Sequence, residues 1–296
     1  MTPIIQVVLL GVAQDAGLPQ AGCDCVNCVT ARALGRHPCV VSLGIIDHTH
    51  QAFWMVDATP DFPQQLQMLR ERAPGATFAG LILTHAHMGH YTGLIHLGRE
   101  AMDIRDITLW CSCKMRAFLR ANAPWAGLLN DGNVTPREII DGEPFALSKG
   151  VSVLPYQVPH RAEFTDTYAF LFSGDRQRLF YCPDIDSWDG LTFDIDNILK
   201  AGDTVLLDGS FFSEEELPHR DMALIPHPLV TDTVGRYANK PYDLVLIHLN
   251  HTNPIWRASP QQEWIMSQGA VVGERGRVVD ACLKVFFKIR MQCLRE

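Results

Sequence analysis

Three histidines lie within six residues at the end of an apolar run, and this cluster constrains the chain more than any other segment. The run at positions 78–83 is short and strand-like, and it leads directly to His85, His87 and His90. Residues two apart in an extended chain point to the same side, so His85 and His87 can reach one metal, and His90 projects nearby. Neutral imidazole binds zinc and other first-row metals. The cluster predicts a metal site; a histidine-rich solvated turn is the alternative.

Further potential ligands follow other apolar runs. His160 follows the run at 151–158, Asp184 follows 178–182, and His248 follows 244–247. This placement is typical of active-site loops at one edge of a sheet sandwich. Asp57, at the end of the run at 52–57, is interpreted as a buried carboxylate that orients a ligand rather than as a ligand.

Strand-like runs and helical segments alternate twice along the chain. Strands are predicted over 4–10, 41–47, 52–57, 78–83 and 107–111, and again over 151–158, 167–172, 178–182, 204–207 and 244–247. Helices are predicted over 62–72, 92–102, 113–123, 228–238 and 260–268. This order predicts an α/β fold in which two sheets lie between helical layers. We expect one domain over 1–281, and residues 282–296 form either a C-terminal helix or a poorly ordered extension.

The composition restricts partners and location. The 296 residues are enough for one large domain or two modest ones, and the net charge of −8 disfavours nucleic acid as a partner. A small-molecule substrate, including a small anion, is compatible with that charge. No signal-like N-terminus and no run of about 20 apolar residues is present, so we expect a cytoplasmic protein without a membrane partner. The oligomeric state stays open, with a homodimer as the commonest soluble assembly.

Three of the nine cysteines, Cys23, Cys25 and Cys28, lie within six residues. Cysteines this close bridge each other poorly, whereas their thiolates can bind one metal. The spacing therefore predicts a second metal site. A reduced, metal-free turn is the alternative.

The segment 83–93 resembles the Thr-His-x-His-x-Asp-His-x-x-Gly signature of the metallo-β-lactamase superfamily. The resemblance implies an αββα sandwich of two mixed β-sheets flanked by helices, with one or two metals at its edge. The implied ligands are His85, His87 and His160 for the first metal, His90 and His248 for the second, and Asp184 as a bridge between them.

A narrower resemblance rests on the cysteine cluster and the segment 247–255. Both are similar to the pyrroloquinoline quinone biosynthesis protein B family, and the cluster also resembles related cyclic phosphodiesterases of phosphonate breakdown. In those phosphodiesterases a distant histidine completes a structural zinc site. This implies His227 here, with His219 as the second choice. The same relatives imply that His251 is a proton donor at the pocket rim, and a loop-capping role is the alternative.

Gly89 departs from the signature, because it occupies the position of the aspartate that binds the second metal. Either the second site is weak or another carboxylate replaces the missing one. Asp15, in the loop after the first strand, is the candidate for that replacement. A simple turn-forming aspartate is the alternative.

Two enzymatic functions follow from these features. The first is metal-dependent hydrolysis of an ester, a lactone or a phosphodiester-type small molecule, with Asp184 and Asp15 orienting an activated water. We expect zinc at both sites, with iron or manganese as alternatives at the catalytic site. The second is an oxidative or accessory role in the biosynthesis of pyrroloquinoline quinone or a similar cofactor, because such ligands also suit Fe(II). A non-catalytic carrier is the remaining class.

Overall fold

Two seven-stranded β-sheets pack face to face in the computed structural model, which describes residues 5–174, 178–217 and 224–279. The strands of the first sheet are β1 (Ile5–Gly11), β2 (Ser42–Asp47), β3 (Ala52–Val56), β4 (Thr77–Ile82), β5 (Ile107–Cys111), β6 (Val134–Glu138) and β14 (Val278–Val279). The strands of the second are β7 (Phe145–Ser148), β8 (Val151–Val158), β9 (Thr167–Ser173), β10 (Arg178–Cys182), β11 (Thr204–Asp208), β12 (Asp243–Ile247) and β13 (Ala270–Val272).

Helices pack against the outer faces of both sheets, except the first helix, whose buried residues pack against the segment that follows β1. They are α1 (Val26–Leu34), α2 (Phe62–Arg72), α3 (Met88–Tyr91), α4 (Cys113–Ala121), α5 (Ala123–Asn130), α6 (Ile195–Ile198), α7 (Val230–Tyr237) and α8 (Pro260–Ser267). Within the described ranges, no helix combines the length and the apolar character needed to cross a membrane.

Each sheet has an antiparallel part and a parallel part, and this mixture places the functional loops. In the first sheet β1 and β3 are both antiparallel to β2, and β3 to β6 are parallel to one another. In the second sheet β8 and β10 are both antiparallel to β9, and β10 to β13 are parallel. The strands of one direction therefore end at one edge of each sheet, where loops can converge on a common site.

The core consists of three layers of buried apolar side chains. The central layer lies between the sheets and includes Leu43, Trp54 and Tyr181. One outer layer packs helices such as α2 against the first sheet, and the other packs helices such as α7 against the second. The predicted αββα sandwich of two mixed sheets is confirmed.

Two predicted helices differ from the observed ones. The segment 92–102 forms a 3-10 helix over Thr92–Leu97 and then turns, and Gly98 follows the last helical residue. Gly93 also approaches a neighbouring loop closely, because a Cβ there would lie 2.1 Å from the carbonyl oxygen of Thr59. The predicted helix 113–123 ends at Ala121, and Pro124 lies in the first turn of a separate helix, α5.

Candidate metal centre

The first site forms where the loops after β4, β8 and β10 meet. His85 Nε2 lies 2.9 Å from His87 Nδ1, which lies 3.1 Å from His160 Nε2. Asp184 Oδ1 lies 3.1 Å from His160 Nε2. These four ligand groups lie within 4.8 Å of one another. Ligands about 2.0–2.1 Å from a tetrahedral zinc ion are separated by comparable distances.

The outer hydrogen bonds of the three histidines show that this site fits a cation. His160 Nδ1 donates to Asp186 Oδ1 at 2.8 Å, and His87 Nε2 donates to Glu163 Oε2 at 3.1 Å. His85 Nδ1 donates to the hydroxyl of Thr84 at 2.9 Å, since that hydroxyl itself donates to a carboxylate. A neutral imidazole carries one proton, so the three inner nitrogens present lone pairs to one another. A cation placed between these nitrogens would accept all three lone pairs.

Asp184 connects this site to a second one. Its side chain is buried, and its Oδ1 has no hydrogen-bond partner among the described residues. Its Oδ2 lies 3.4 Å from both His90 Nε2 and His248 Nε2. Burial acts to raise the pKa of Asp184, but its histidine neighbours, His160 first and then His248, outweigh burial and hold that pKa well below the ordinary value. An ionised carboxylate with an unsatisfied oxygen is suited to bridge two cations.

Asp15 contributes the carboxylate that the second site would otherwise lack. Its Oδ1 lies 3.1 Å from His90 Nε2 and 3.4 Å from His248 Nε2. Burial acts to raise the pKa of Asp15, but the charge of His90 and hydrogen bonds from both histidines hold it well below the ordinary value. The structure therefore brings together Asp15, His90, His248 and Asp184 as one ligand group.

Gly89 leaves the space that Asp15 fills. A Cβ built on Gly89 would lie 2.6 Å from the Cα, the Cγ and the Oδ1 of Asp15. No side chain fits at position 89 while the loop after β1 keeps this course. The carboxylate expected on the loop after β4 is thus supplied by the loop after β1, at the same place in space.

Asp57 and Ser210 orient the histidines of the second site. His90 Nδ1 donates to Asp57 Oδ2 at 2.8 Å, and His248 Nδ1 donates to Ser210 Oγ at 2.8 Å. Asp57 also accepts the backbone N–H of Thr84 at 2.8 Å. Both Asp57 and His248 have left-handed backbones, with φ of 64° and 59°. Such conformations are costly for residues other than glycine and are concentrated at functional sites.

Asp208 and His227 form a pair next to the first site. This pair was not predicted from the sequence. His227 Nδ1 lies 2.7 Å from Asp208 Oδ2 and 3.5 Å from Asp184 Oδ1. His227 Nε2 is buried and has no hydrogen-bond partner among the described residues. Burial acts to lower the pKa of His227, but Asp208 and Asp184 raise it to about 9. The buried strand end at Asp208 was the available signal, because β8, β10 and β12, which run in the same direction as β11, are also followed by site residues.

The cysteine site is completed by His251 and not by His227, which corrects the expectation for His227. His251 Nδ1 lies 3.4 Å from the Sγ atoms of Cys23 and Cys25 and 3.6 Å from that of Cys28. Three thiolates and one imidazole form the closed tetrahedral set of a structural zinc site. His227 Nδ1 is instead hydrogen-bonded to Asp208 Oδ2 at 2.7 Å. His219, the second choice, lies outside the described residues.

The same geometry corrects the expected role of His251 as a proton donor at the pocket rim, because its Nδ1 faces the three thiols.

Burial raises the pKa of Cys28 to about 12, whereas a hydrogen bond from the backbone of Cys25 lowers the pKa of Cys23. Cys23 is therefore the thiol that ionises more readily, and a bound metal would deprotonate the others.

The cysteine site holds together the loops that carry Asp15 and His248. The backbone N–H of Gln14 donates to Leu249 O at 2.9 Å, and the side chain of Asn27 donates to the carbonyl oxygens of His251 and Asn253, both at 2.9 Å. A metal bound at the cysteines would thus stabilise the two loops that carry Asp15 and His248.

We expect Cys25→Ser to remove one zinc ion per chain and to lower the melting temperature. A loss of about 2 kcal/mol would lower Tm by roughly 4–8 °C in a domain of this size. Elemental analysis and thermal unfolding of the zinc-loaded protein measure both effects. Cys113→Ser, at an exposed cysteine outside the cluster, is the matched control. Unchanged zinc content in the Cys25 variant would contradict the assignment.

A separate open cavity of about 620 Å³ lies between the sheets and is lined by aromatic side chains that include Trp54, Trp110 and Phe145. Its lining contributes none of the histidine, cysteine or aspartate ligands described above. The candidate ligand groups therefore lie at the strand ends and not in this cavity.

Comparison with known proteins agrees with this architecture. The family model described as "Beta-lactamase superfamily domain" matches residues 54–257. Coenzyme PQQ synthesis protein B of Ruegeria pomeroyi is 27% identical over 282 residues, covering 86% of this chain and 92% of the relative. Its counterpart from Rhizobium meliloti is 24% identical over 316 residues, covering 94% and 98%.

Two solved structures share the fold. Zn²⁺-bound PqqB from Methylobacterium extorquens superposes with a TM-score of 0.80 at 22% identity, covering 93% of this chain and 99% of that one. A diphosphatase from the PhnP family superposes with a TM-score of 0.64 at 20% identity, covering 93% and 96%.

Proposed function

The chain belongs to the metallo-β-lactamase superfamily, and on that basis we propose that it is a metal-dependent hydrolase of a small molecule with an ester, lactone or phosphodiester bond. Asp15 and Gly89 carry this proposal. Asp15 completes a group of four potential ligands with His90, His248 and Asp184, in the space that Gly89 leaves free, although the usual aspartate is missing from the signature.

The residues of the site can bind two cations, and their neighbours hold the ligand side chains in position. Two divalent cations bound here would lower the pKa of a bound water from near 16 towards about 7 and would polarise the bond under attack. Asp184, whose pKa is held well below its ordinary value, would help to hold both cations and would orient the water that they activate. Asp57 and Ser210 hold the imidazoles of His90 and His248 in place through their Nδ1 protons.

His227 is positioned to supply the proton that the leaving group needs. Its Nδ1 proton is held by Asp208, and its pKa of about 9 keeps the ring protonated at neutral pH. The second ring proton is then on Nε2, which no described residue uses. A general acid with this arrangement protonates the leaving oxygen as the bond breaks.

We expect His227→Asn to lower kcat by about 10²–10⁴-fold, the range for loss of a general acid, and to leave the metal content unchanged. Because the folded pKa is raised, the acid form prevails below pH 9, and wild-type kcat falls as pH rises through about 9. The variant would lack this descending limb. His96→Asn, in the 3-10 helix over Thr92–Leu97, is the control. An unchanged pH profile in the His227 variant would remove the residue from the mechanism.

The proposed activity is tested with zinc-loaded protein and three probes: p-nitrophenyl acetate, a γ-lactone and bis(p-nitrophenyl) phosphate. We expect turnover of at least one probe, its loss after chelation, and its return when zinc is restored. Absence of metal-dependent turnover with all three would refute hydrolysis of these bond classes.

A second candidate function is an oxidative or accessory step in pyrroloquinoline quinone biosynthesis. The similarity to coenzyme PQQ synthesis proteins over most of both chains supports it. Metal analysis after parallel aerobic and anaerobic purification separates the two functions. Iron with oxygen-dependent turnover favours the oxidative role, and zinc with hydrolysis of the probes opposes it.

A further inference from the structure

Arg161 follows the ligand His160 directly, and its charge is used by no interaction described above. The side chain is half-buried, its Nε is buried, and that nitrogen has no hydrogen-bond partner among the described residues. The ion pairs formed within residues 5–174, 178–217 and 224–279 do not include Arg161 either. The Nε of this guanidinium has therefore lost its hydration without a hydrogen-bond partner among the residues that the structure describes.

The nearby carboxylates are already engaged. Asp186 accepts His160 Nδ1 at 2.8 Å and the backbone N–H of Arg161 at 3.2 Å. Glu163 faces His87 Nε2 at 3.1 Å. An unmatched buried donor costs about 1–3 kcal/mol, more when it is charged. A donor left unpaired at such a cost beside a reaction site is typical of a group that pairs with a bound small molecule.

The charge of Arg161 acts on both sides of the site. Burial lowers the pKa of His87, and the charge of Arg161 adds to that effect. At His227, burial and Arg161 both oppose the rise caused by Asp208. The geometry agrees with this position, because the backbone N–H of Arg161 and Nδ1 of the ligand His160 both donate to Asp186 Oδ1, which fixes Arg161 beside the first ligand group.

We propose that Arg161 binds an anionic group of the substrate, a phosphate or carboxylate oxygen, beside the first metal site. The planar guanidinium offers paired N–H donors that match two oxygens of such a group. With a net charge of −8, the protein as a whole repels anions, so recognition depends on a local cation. This inference shares one assumption with the proposed function, namely that a small molecule reacts at this site.

The test is calorimetric titration of the zinc-loaded, full-length protein with inorganic phosphate and, separately, with acetate. We expect phosphate or acetate to bind, and Arg161→Gln to weaken that binding by about tenfold or more, as for loss of a charge-assisted hydrogen bond. Arg161→Lys keeps the charge without the paired donors and should weaken binding by a smaller factor. Arg105→Gln, at an exposed arginine paired with Asp103, is the control. Zinc content is measured for each variant.

Stronger binding of phosphate supports a phosphate ester as substrate, and stronger binding of acetate supports a carboxylate-bearing one. Equal binding by the wild type and both Arg161 variants overturns the inference, as does failure of both anions to bind the wild type. The measurement needs no turnover. Arg161-dependent binding without hydrolysis of any probe would therefore reject the proposed function alone, and hydrolysis with Arg161-independent anion binding would reject the inference alone.

Discussion

Asp15→Asn is expected to remove the metal from the second site while the first site keeps its own. The amide has nearly the shape of the carboxylate but no charge, and the lost group lies directly against His90 and His248. Loss of a partner that only orients a ligand costs about 10–100-fold in metal affinity, so loss of a ligand should cost at least about 100-fold. Calorimetric zinc titration and elemental analysis measure the change.

Asp131→Asn, at an exposed aspartate remote from the strand ends, makes the same chemical change as a control. We expect it to bind zinc as the wild type does. If the Asp15 variant also retained both catalytic zinc ions at unchanged affinity, Asp15 would be a turn residue and the second site would lack a carboxylate of its own.

A reciprocal exchange tests why Gly89 occurs in this chain. In the wild-type background, Gly89→Asp is expected to displace the loop after β1, because its Cβ would lie 2.6 Å from Asp15. In the Asp15→Gly background the same substitution is expected to restore part of the second-site affinity, since it returns a carboxylate to the position found in the signature. Recovery is partial because the Cα of residue 15 still crowds position 89. No recovery at all would show that the two positions are not exchangeable.

The double variant His85→Ala, His87→Ala should lose the first catalytic metal together with all metal-dependent turnover. These two rings supply two of the four groups of the first site, and His85 also lies 3.3 Å from Asp184 Oδ2. Only His160 and Asp184 remain, and two ligands do not form the three-ligand set of catalytic zinc sites. The zinc at the cysteine site should stay bound, so elemental analysis should show a reduced but non-zero content.

His48→Ala, at a partly buried histidine outside the strand-end loops, is the control for the loss of an imidazole. Full turnover in the double variant, or an unchanged zinc content, would reject the histidine cluster as the reaction centre.

Many residues of the site could be predicted from the sequence, because each of them comes shortly after a strand. An apolar run followed by a histidine or an aspartate marks a strand end, and strands of one direction end at one edge. His85, His87, His160, Asp184 and His248 could be grouped on that basis. Asp208 closes the same kind of run, yet its partner His227 lies 19 positions further along the chain. A lone histidine in a loop gives no sign of which of two sites it will join.

The sequence by itself determined the sandwich, the histidine cluster and the cysteine cluster, because each depends on spacing within a few residues or on the period of apolar runs. Only the tertiary structure showed that His251, and not His227, completes the cysteine site. Only the tertiary structure showed that Asp15 fills the space next to Gly89. Both decisions depend on which loops approach each other across the strand ends. Loop approach is set by packing among residues up to about 230 positions apart, as for Cys23 and His251 (|i−j| = 228), and no local pattern records it.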